Sequence, residues 1–413
     1  MERPFASVTV TEKAARALRG GHPWVFAGEV LTKESPCPDG EIVDVYTEKG
    51  RWQGAGFYNG RSLIRVRILS RNTNDKMDEA FFRRRVRYAL AYRQQVMGED
   101  FAACRLIFGE ADGFPGWTVD RYGDVLVSEV LSLGIERRRA MLYALLREEL
   151  AALGVNVSCI YERNESLIRE KEGMTCGKGP YAAPGLETNP SGHAEICENG
   201  IYFDVDYING QKTGYFLDQK YNRLAMQRIC KGKKVLDCFT HMGTFALNAG
   251  IAGASDVTGL DISEYAVQQA NANAVRNHLE DTVHFRCANV LDELPKLAEA
   301  GEKYDVVILD PPAFTKSREA TKNAIKGYRE INMKGLKLVK DGGYLATCSC
   351  SHFMTQELLA KTVKEAAKAA HKRLRQVEFR TQAPDHPILW ANSANVPESY
   401  YLKFFIFQVV DEK

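Results

Sequence analysis

No stretch of the 413 residues approaches the roughly 18 consecutive apolar side chains that a membrane-spanning helix requires. The first twenty residues mix acids and bases without an apolar core, so a secretory leader is not expected, nor is a membrane partner. None of the ten cysteines forms a C-x-x-C pair, which argues against zinc-ribbon and thioredoxin-type motifs and leaves no metal expected. Scattered thiols without a leader suit a reducing, cytoplasmic location. An excess of one charge is also missing. Lys plus Arg number 55 against 53 Asp plus Glu, a net charge of +2, so any polyanion must be met by local charge. Repeats and low-complexity tracts are absent. What remains is ordinary: 45% hydrophobic and 26% charged residues exclude wholesale disorder, and the length calls for two or three domains.

Local charge is present. Ten Lys or Arg lie between Arg61 and Arg93, among them Arg83, Arg84, Arg85 and Arg87, against Asp75, Asp78 and Glu79. A second basic run spans Lys361 to Arg380, helical in its first part. Either run alone reads as a solvated face, but two beside an enzyme-like core make the electrostatic footprint of an RNA binder.

Residues 1–72 read as short alternating strands punctuated by glycine turns, with Ser62–Leu69 the clearest period-two strand. Residues 73–190 read as a compact α+β module, with helices near 77–96 and 136–153. From residue 191 onward a hairpin at Asn199-Gly200 is followed by apolar runs alternating with helical patterns: 234–237, 256–261, 283–287, 304–310 and 343–348. Strands separated by helices predict a doubly wound parallel sheet, whose ligands sit at the carboxyl ends of its strands.

Val235-Leu-Asp-Cys-Phe-Thr-His-Met-Gly-Thr-Phe245 is a strand ending in an acid, then a turn with a single glycine, then a helix. Dinucleotide binding needs three glycines so that backbone can approach a pyrophosphate. Gly243 alone, joined to Asp237 and to Asp261 at the end of the next strand, points to a cofactor without phosphates such as S-adenosylmethionine, and makes a nicotinamide dehydrogenase remote. Asn289 reads equally as an adenine contact or a helix cap. Asp310-Pro-Pro-Ala-Phe314 closes the fourth strand with a rigid turn and an aromatic able to pack on a flat base. Cys348 and Cys350 end the next strand, and side-chain alternation puts both on one face without choosing between them. They read either as small buried residues or as a nucleophile facing Asp310.

These motifs carry a resemblance. The C-terminal half resembles class I S-adenosylmethionine-dependent RNA methyltransferases. Nearly the whole chain is similar to the large-subunit (23S) rRNA cytosine-5 methyltransferase I family, which has an N-terminal PUA domain. Gly20-Gly-His-Pro-Trp-Val-Phe26 and Ser62–Leu69 match in the PUA region, Phe108–Asp124 in the middle, and Gly210-Gln-Lys-Thr-Gly-Tyr-Phe-Leu-Asp-Gln219 at the entrance to the last domain. Two departures stand out: Asn289 where many relatives have aspartate, and His241-Met242 in the turn after Asp237.

The resemblance implies a PUA barrel over 1–72, a central α+β domain over 73–190 and a Rossmann-like methyltransferase domain over 191–413. It implies S-adenosylmethionine held by Asp237, Phe239, Gly243, Asp261, Asn289 and Asp310. It makes Cys350 the nucleophile, with Asp310 supporting it at the target base. Phe314, Gln211, Lys212 and the four arginines 83, 84, 85 and 87 are expected on the RNA. A guanine-nitrogen methyltransferase, or a noncatalytic RNA-binding or ribosome-assembly factor, remains open as an alternative. So do the final base and the oligomeric state, a homodimer included.

Overall fold

The computed structural model describes residues 3–33, 37–314, 320–390 and 397–412. The chain forms two compact units. The first comprises Met1–Ile196, Val205–Leu217 and Pro384–Ser399, and the second Cys197–Asp204, Asp218–Ala383 and Tyr400–Lys413. This division is coarser than the three segments expected above and places two short pieces of the C-terminal half with the N-terminal unit.

The first unit contains two sheets. One has six strands in the order Trp24–Phe26, Ile64–Ser70, Trp52–Tyr58, Ile42–Thr47, Ala6–Val10 and Val30–Lys33. Alternation in these strands turns Val8, Val10, Val43, Val45 and Val66 onto a shared core, closed by Ala14, Ala15 and Leu18 of the helix Glu12–Arg19. The other sheet has five strands between Ala103 and Pro180, beside the helices Glu79–Met97 and Arg139–Ala152.

The second unit is built on a seven-stranded sheet. Its strands are β1 (Lys234–Cys238), β2 (Asp256–Asp261), β3 (Val283–Cys287), β4 (Tyr304–Leu309), β5 (Val339–Ser349), β6 (Lys372–Arg380) and β7 (Lys403–Asp411). Their spatial order is β3-β2-β1-β4-β5-β7-β6. The first five are parallel, while β7 runs antiparallel to both β5 and β6. The helices are α1 (Lys220–Cys230), α2 (Thr244–Ile251), α3 (Glu264–Arg276), α4 (Val290–Glu299), α5 (Thr321–Leu338) and α6 (Gln356–Ala369). Central strands covered on both faces need continuous apolar sequence, and Val235, Leu236, Val306, Val307, Ile308 and Leu309 are fully buried. The strand order reverses between β1 and β4, which opens a crevice at their carboxyl ends.

The second basic run ends on the sheet edge. Lys372 and Arg373 of β6 pair with Asp411 and Glu412. Charges on an outer strand discourage edge-to-edge pairing with other chains, which accounts for this part of the run without a polyanion.

Candidate active site

The turn after β1 is tightly wound. Phe239 and His241 both hold left-handed backbone, at φ 64° and 52°, and Gly243 follows at φ 85°. Left-handed conformations cost a non-glycine residue free energy and cluster at functional sites. A Cβ on Gly243 would stand 2.6 Å from the Phe285 ring, so glycine is required there both for φ and for space.

Asp237 organises this turn from below. Its Oδ2 accepts hydrogen bonds from the Thr240 hydroxyl at 2.6 Å and the Ala246 amide at 3.0 Å. Its Oδ1 is buried and has no hydrogen-bond partner among the described residues. Burial, opposed by the Thr240 hydroxyl and reinforced by the neighbouring Asp310 and Asp261, raises its pKa to about 7. Asp261 ends β2, and its two oxygens accept the amides of His241 and Ser263, each at 2.9 Å. His241 is pushed down to about 4, chiefly by burial, so its ring is neutral and ill-suited to serve as a base near neutrality. Asn289 caps α4 by accepting the Leu291 amide at 3.1 Å. The cap is one of its two sequence readings, and it leaves the side-chain nitrogen out of that bond.

Asp310 lies at the switch point, directly after β4. The Cys348 thiol donates to its Oδ1 at 2.8 Å, and the Gln219 amide nitrogen donates to its Oδ2 at 3.2 Å. Gln219 is oriented by Asn222, whose side-chain nitrogen donates to the Gln219 oxygen at 2.6 Å. Asn222 is itself held by Arg380, at 3.1 Å. Desolvation is the largest influence on Asp310 and, with the charge of Asp218, raises its pKa to about 6 against the lowering effect of the Cys348 thiol.

The two cysteines differ. β5 ends at Ser349, so strand alternation does not extend to Cys350. Cys348 is fully buried and committed to Asp310, whereas Cys350 is only half-buried. Burial and the carboxylates of Asp310 and Asp218 push the Cys350 thiol up to about 12. Phe314 is half-buried, its ring 4.8 Å from that of Tyr328 in an edge-on contact. Tyr328 in turn accepts the Ser349 hydroxyl at 2.8 Å.

Asp237, Gly243, Asp261, Asp310, Cys348 and Cys350 thus belong to the second unit. The expected RNA contacts Arg83, Arg84, Arg85, Arg87, Gln211 and Lys212 belong to the first. Gln211 and Lys212 are exposed. The arginines are largely engaged: Arg83 pairs with Glu79, Glu148 and Glu149, Arg84 with Asp75, and Arg87 with Glu149. Arg85 donates to the carbonyls of Leu69 and Gly113. Glu79, Glu148 and Glu149 come from two helices, so the basic run meets its counter-charge across the fold.

Sequence reasoning did not single out the Gln219–Asn222 pair, the fully buried Arg223–Glu198 ion pair at 2.6 Å, or Lys403. Lys403 had one signal, a single charge opening the otherwise apolar strand Lys403-Phe-Phe-Ile-Phe407.

The crevice suits a cationic cofactor. It concentrates carboxylates, leaves the buried Asp237 Oδ1 without a donor among the described residues, and would repel a pyrophosphate. The sulfonium and ammonium of S-adenosylmethionine answer that charge. Comparisons with known proteins agree. A family model described as S-adenosylmethionine-dependent methyltransferase matches residues 178–393, and a PUA-like domain model matches residues 8–71. A ribosomal RNA large subunit methyltransferase I from Klebsiella pneumoniae (strain 342) is 36% identical over 408 residues, covering 98% of this chain and 99% of that protein. The chain belongs to the ribosomal RNA large subunit methyltransferase I family. The Escherichia coli (strain K12) member is 37% identical over 398 residues, covering 96% of this chain and 97% of its own. A solved S-adenosylmethionine-dependent methyltransferase from Streptococcus mutans shares the fold, with a TM-score of 0.80 at 20% identity over 97% of this chain and 99% of that one. As in the rest of its family, this member's methyl donor is S-adenosylmethionine.

Among the described residues no helix is long and apolar enough to cross a membrane.

Proposed function

We propose that the protein methylates carbon 5 of a cytosine in large-subunit (23S) rRNA, through a transient bond between Cys350 and the base. The observation that carries this reading is the inequality of the two cysteines beside Asp310. The buried Cys348 is spent on the carboxylate, and the half-buried Cys350 is left to meet a substrate.

Carbon 5 of a pyrimidine is a poor nucleophile. Addition of the Cys350 thiolate to carbon 6 makes the ring an enamine, with electron density returned to carbon 5. S-adenosylmethionine supplies the sulfonium methyl. Loss of the carbon-5 proton then restores the ring double bond and expels the thiolate. Asp310, with a pKa near 6, holds the base edge and delivers a hydrogen bond or proton that favours addition. Gln219 and Cys348 fix the direction in which that carboxyl points. Phe314 closes one side of a base taken out of its stack. The PUA-like domain, Gln211, Lys212 and the arginines at 83, 84, 85 and 87 serve the RNA. For Arg83, Arg84 and Arg87 this means exchanging carboxylate partners for phosphates.

The test is a pair of variants with a trap. Cys350→Ser abolishes turnover, while Cys348→Ser keeps measurable activity. RNA carrying 5-fluorocytosine at the target holds the wild-type protein in a covalent adduct, since fluorine does not leave as the proton does. Full activity in both variants without an adduct refutes cytosine-5 chemistry and turns attention to nitrogen methylation.

A further inference from the structure

The fold sets one ammonium beside the proposed nucleophile. Lys403 opens β7, and its backbone faces Ser349 across the antiparallel pair with β5. It is 1% exposed. Its Nζ donates to the Ser351 carbonyl at 2.5 Å and to the Tyr401 carbonyl at 2.7 Å, and stands 5.6 Å from the centre of the Tyr400 ring. The residue that faces Lys403 therefore precedes Cys350, and the carbonyl that holds its ammonium follows Cys350. Two of three N–H groups are used, leaving one to donate.

The charges around Cys350 make this position informative. Asp310, after β4, and Asp218, before α1, both oppose ionisation of the thiol. Cys348 donates to Asp310, and Tyr328 of α5 accepts from Ser349. Arg223 of α1 is paired with Glu198. The backbone amide of Cys350 itself favours a thiolate there, and Lys403 is the side-chain charge that does so with it. A buried ammonium is expensive to maintain, and burial lowers the Lys403 pKa to about 8. The strand it opens, Phe404-Phe-Ile-Phe407, would accept an apolar residue in its place without that expense.

We infer that Lys403 is a positioning residue whose ammonium is the counter-charge of the Cys350 thiolate. The inference rests on the reading of Cys350 as the attacking group. On ionisation the thiol proton passes to water, the sulfur keeps the electron pair, and the resulting anion faces the Lys403 ammonium. No oxidant or reductant takes part.

Iodoacetamide labelling of the full-length protein tests it, because the thiolate, and not the thiol, displaces iodide. Labelling is followed by mass spectrometry between pH 6.5 and 9.5, with fragment ions separating Cys350 from Cys348. The exposed Cys176 and Cys197 serve as internal standards. Lys403→Met should slow Cys350 labelling at pH 6.5, where Lys403 carries its proton, by about tenfold, the equivalent of one unit in the thiol's pKa. Lys403→Arg should stay within threefold of wild type at that pH. Equal Cys350 rates in wild type and Lys403→Met overturn the pairing. Should the Met variant fail to fold, the Arg variant decides. Its guanidinium stays charged at pH 9.5, where Lys403 has lost its proton, so Cys350 should label at least threefold faster than in wild type, and equal rates overturn the pairing. Methyl transfer by Cys350→Ser is measured alongside. Activity retained there overturns the nucleophile reading, whatever the labelling shows. An inactive Cys350→Ser with unchanged labelling in Lys403→Met overturns the Lys403 assignment alone.

Discussion

Cofactor binding should release protons, in an amount that the carboxylate cluster dictates. Asp237 and Asp310, with pKa values of about 7 and about 6, are partly protonated in the free protein near neutrality. At pH 6 roughly nine tenths of Asp237 and half of Asp310 carry a proton, about 1.4 together; at pH 7.5 the sum is about 0.3. A bound sulfonium and ammonium favour the ionised forms, so these protons leave as S-adenosylmethionine enters. The linked affinity is then about 15-fold weaker at pH 6 than at pH 7.5, or about 1.6 kcal/mol. Titration calorimetry at each pH, in two buffers of different ionisation enthalpy, counts the protons directly. Asp237→Asn should cut the release at pH 6 to about 0.5, the share left to Asp310. S-adenosylhomocysteine, whose sulfur is neutral, should release fewer than the sulfonium. Release below about 0.2 protons at both pH values would refute the argument that these carboxylates await a cation. The same shifts set a stability trend with a definite sign. A carboxyl whose folded pKa is raised binds more protons folded than unfolded, so stability falls as pH rises from about 4 to 7, by about 4 kcal/mol for Asp237.

Asp261→Ala should weaken S-adenosylmethionine binding by about 1–3 kcal/mol by calorimetry, since it removes a charged acceptor and frees the His241 amide of the turn. Unchanged affinity in a folded variant would sink that role. Glu198→Ala should destabilise the protein by about 3–5 kcal/mol in denaturant unfolding by taking the carboxylate at 2.6 Å away from the buried Arg223 guanidinium, whereas Glu198→Leu combined with Arg223→Met should recover most of the loss. A double variant no better than the single one would show that the pair does more than neutralise itself.

Much of the second unit was legible because it rests on local pattern. The apolar runs at 234–238, 256–261 and 304–309 announce strands covered on both faces, and the helical stretches between them make those strands parallel. Gly243 and the acids at 237, 261 and 310 were legible for the same reason. Each sits at the carboxyl end of a strand or in the turn that follows, so chain position alone places them on one rim of the sheet. Only the tertiary structure decided the rest. The alternation rule could not separate Cys348 from Cys350, because the point where β5 ends is set by its pairing with β7, some fifty residues onward. Nor could it find Lys403, which reaches the site through that same antiparallel pairing. Arg83 and Arg87 read as a basic face because their partners Glu148 and Glu149 are more than sixty residues away. Strand and turn propensities are local and lie in the sequence, whereas the pairing of charges depends on which distant elements pack together, and that is decided only when the chain folds.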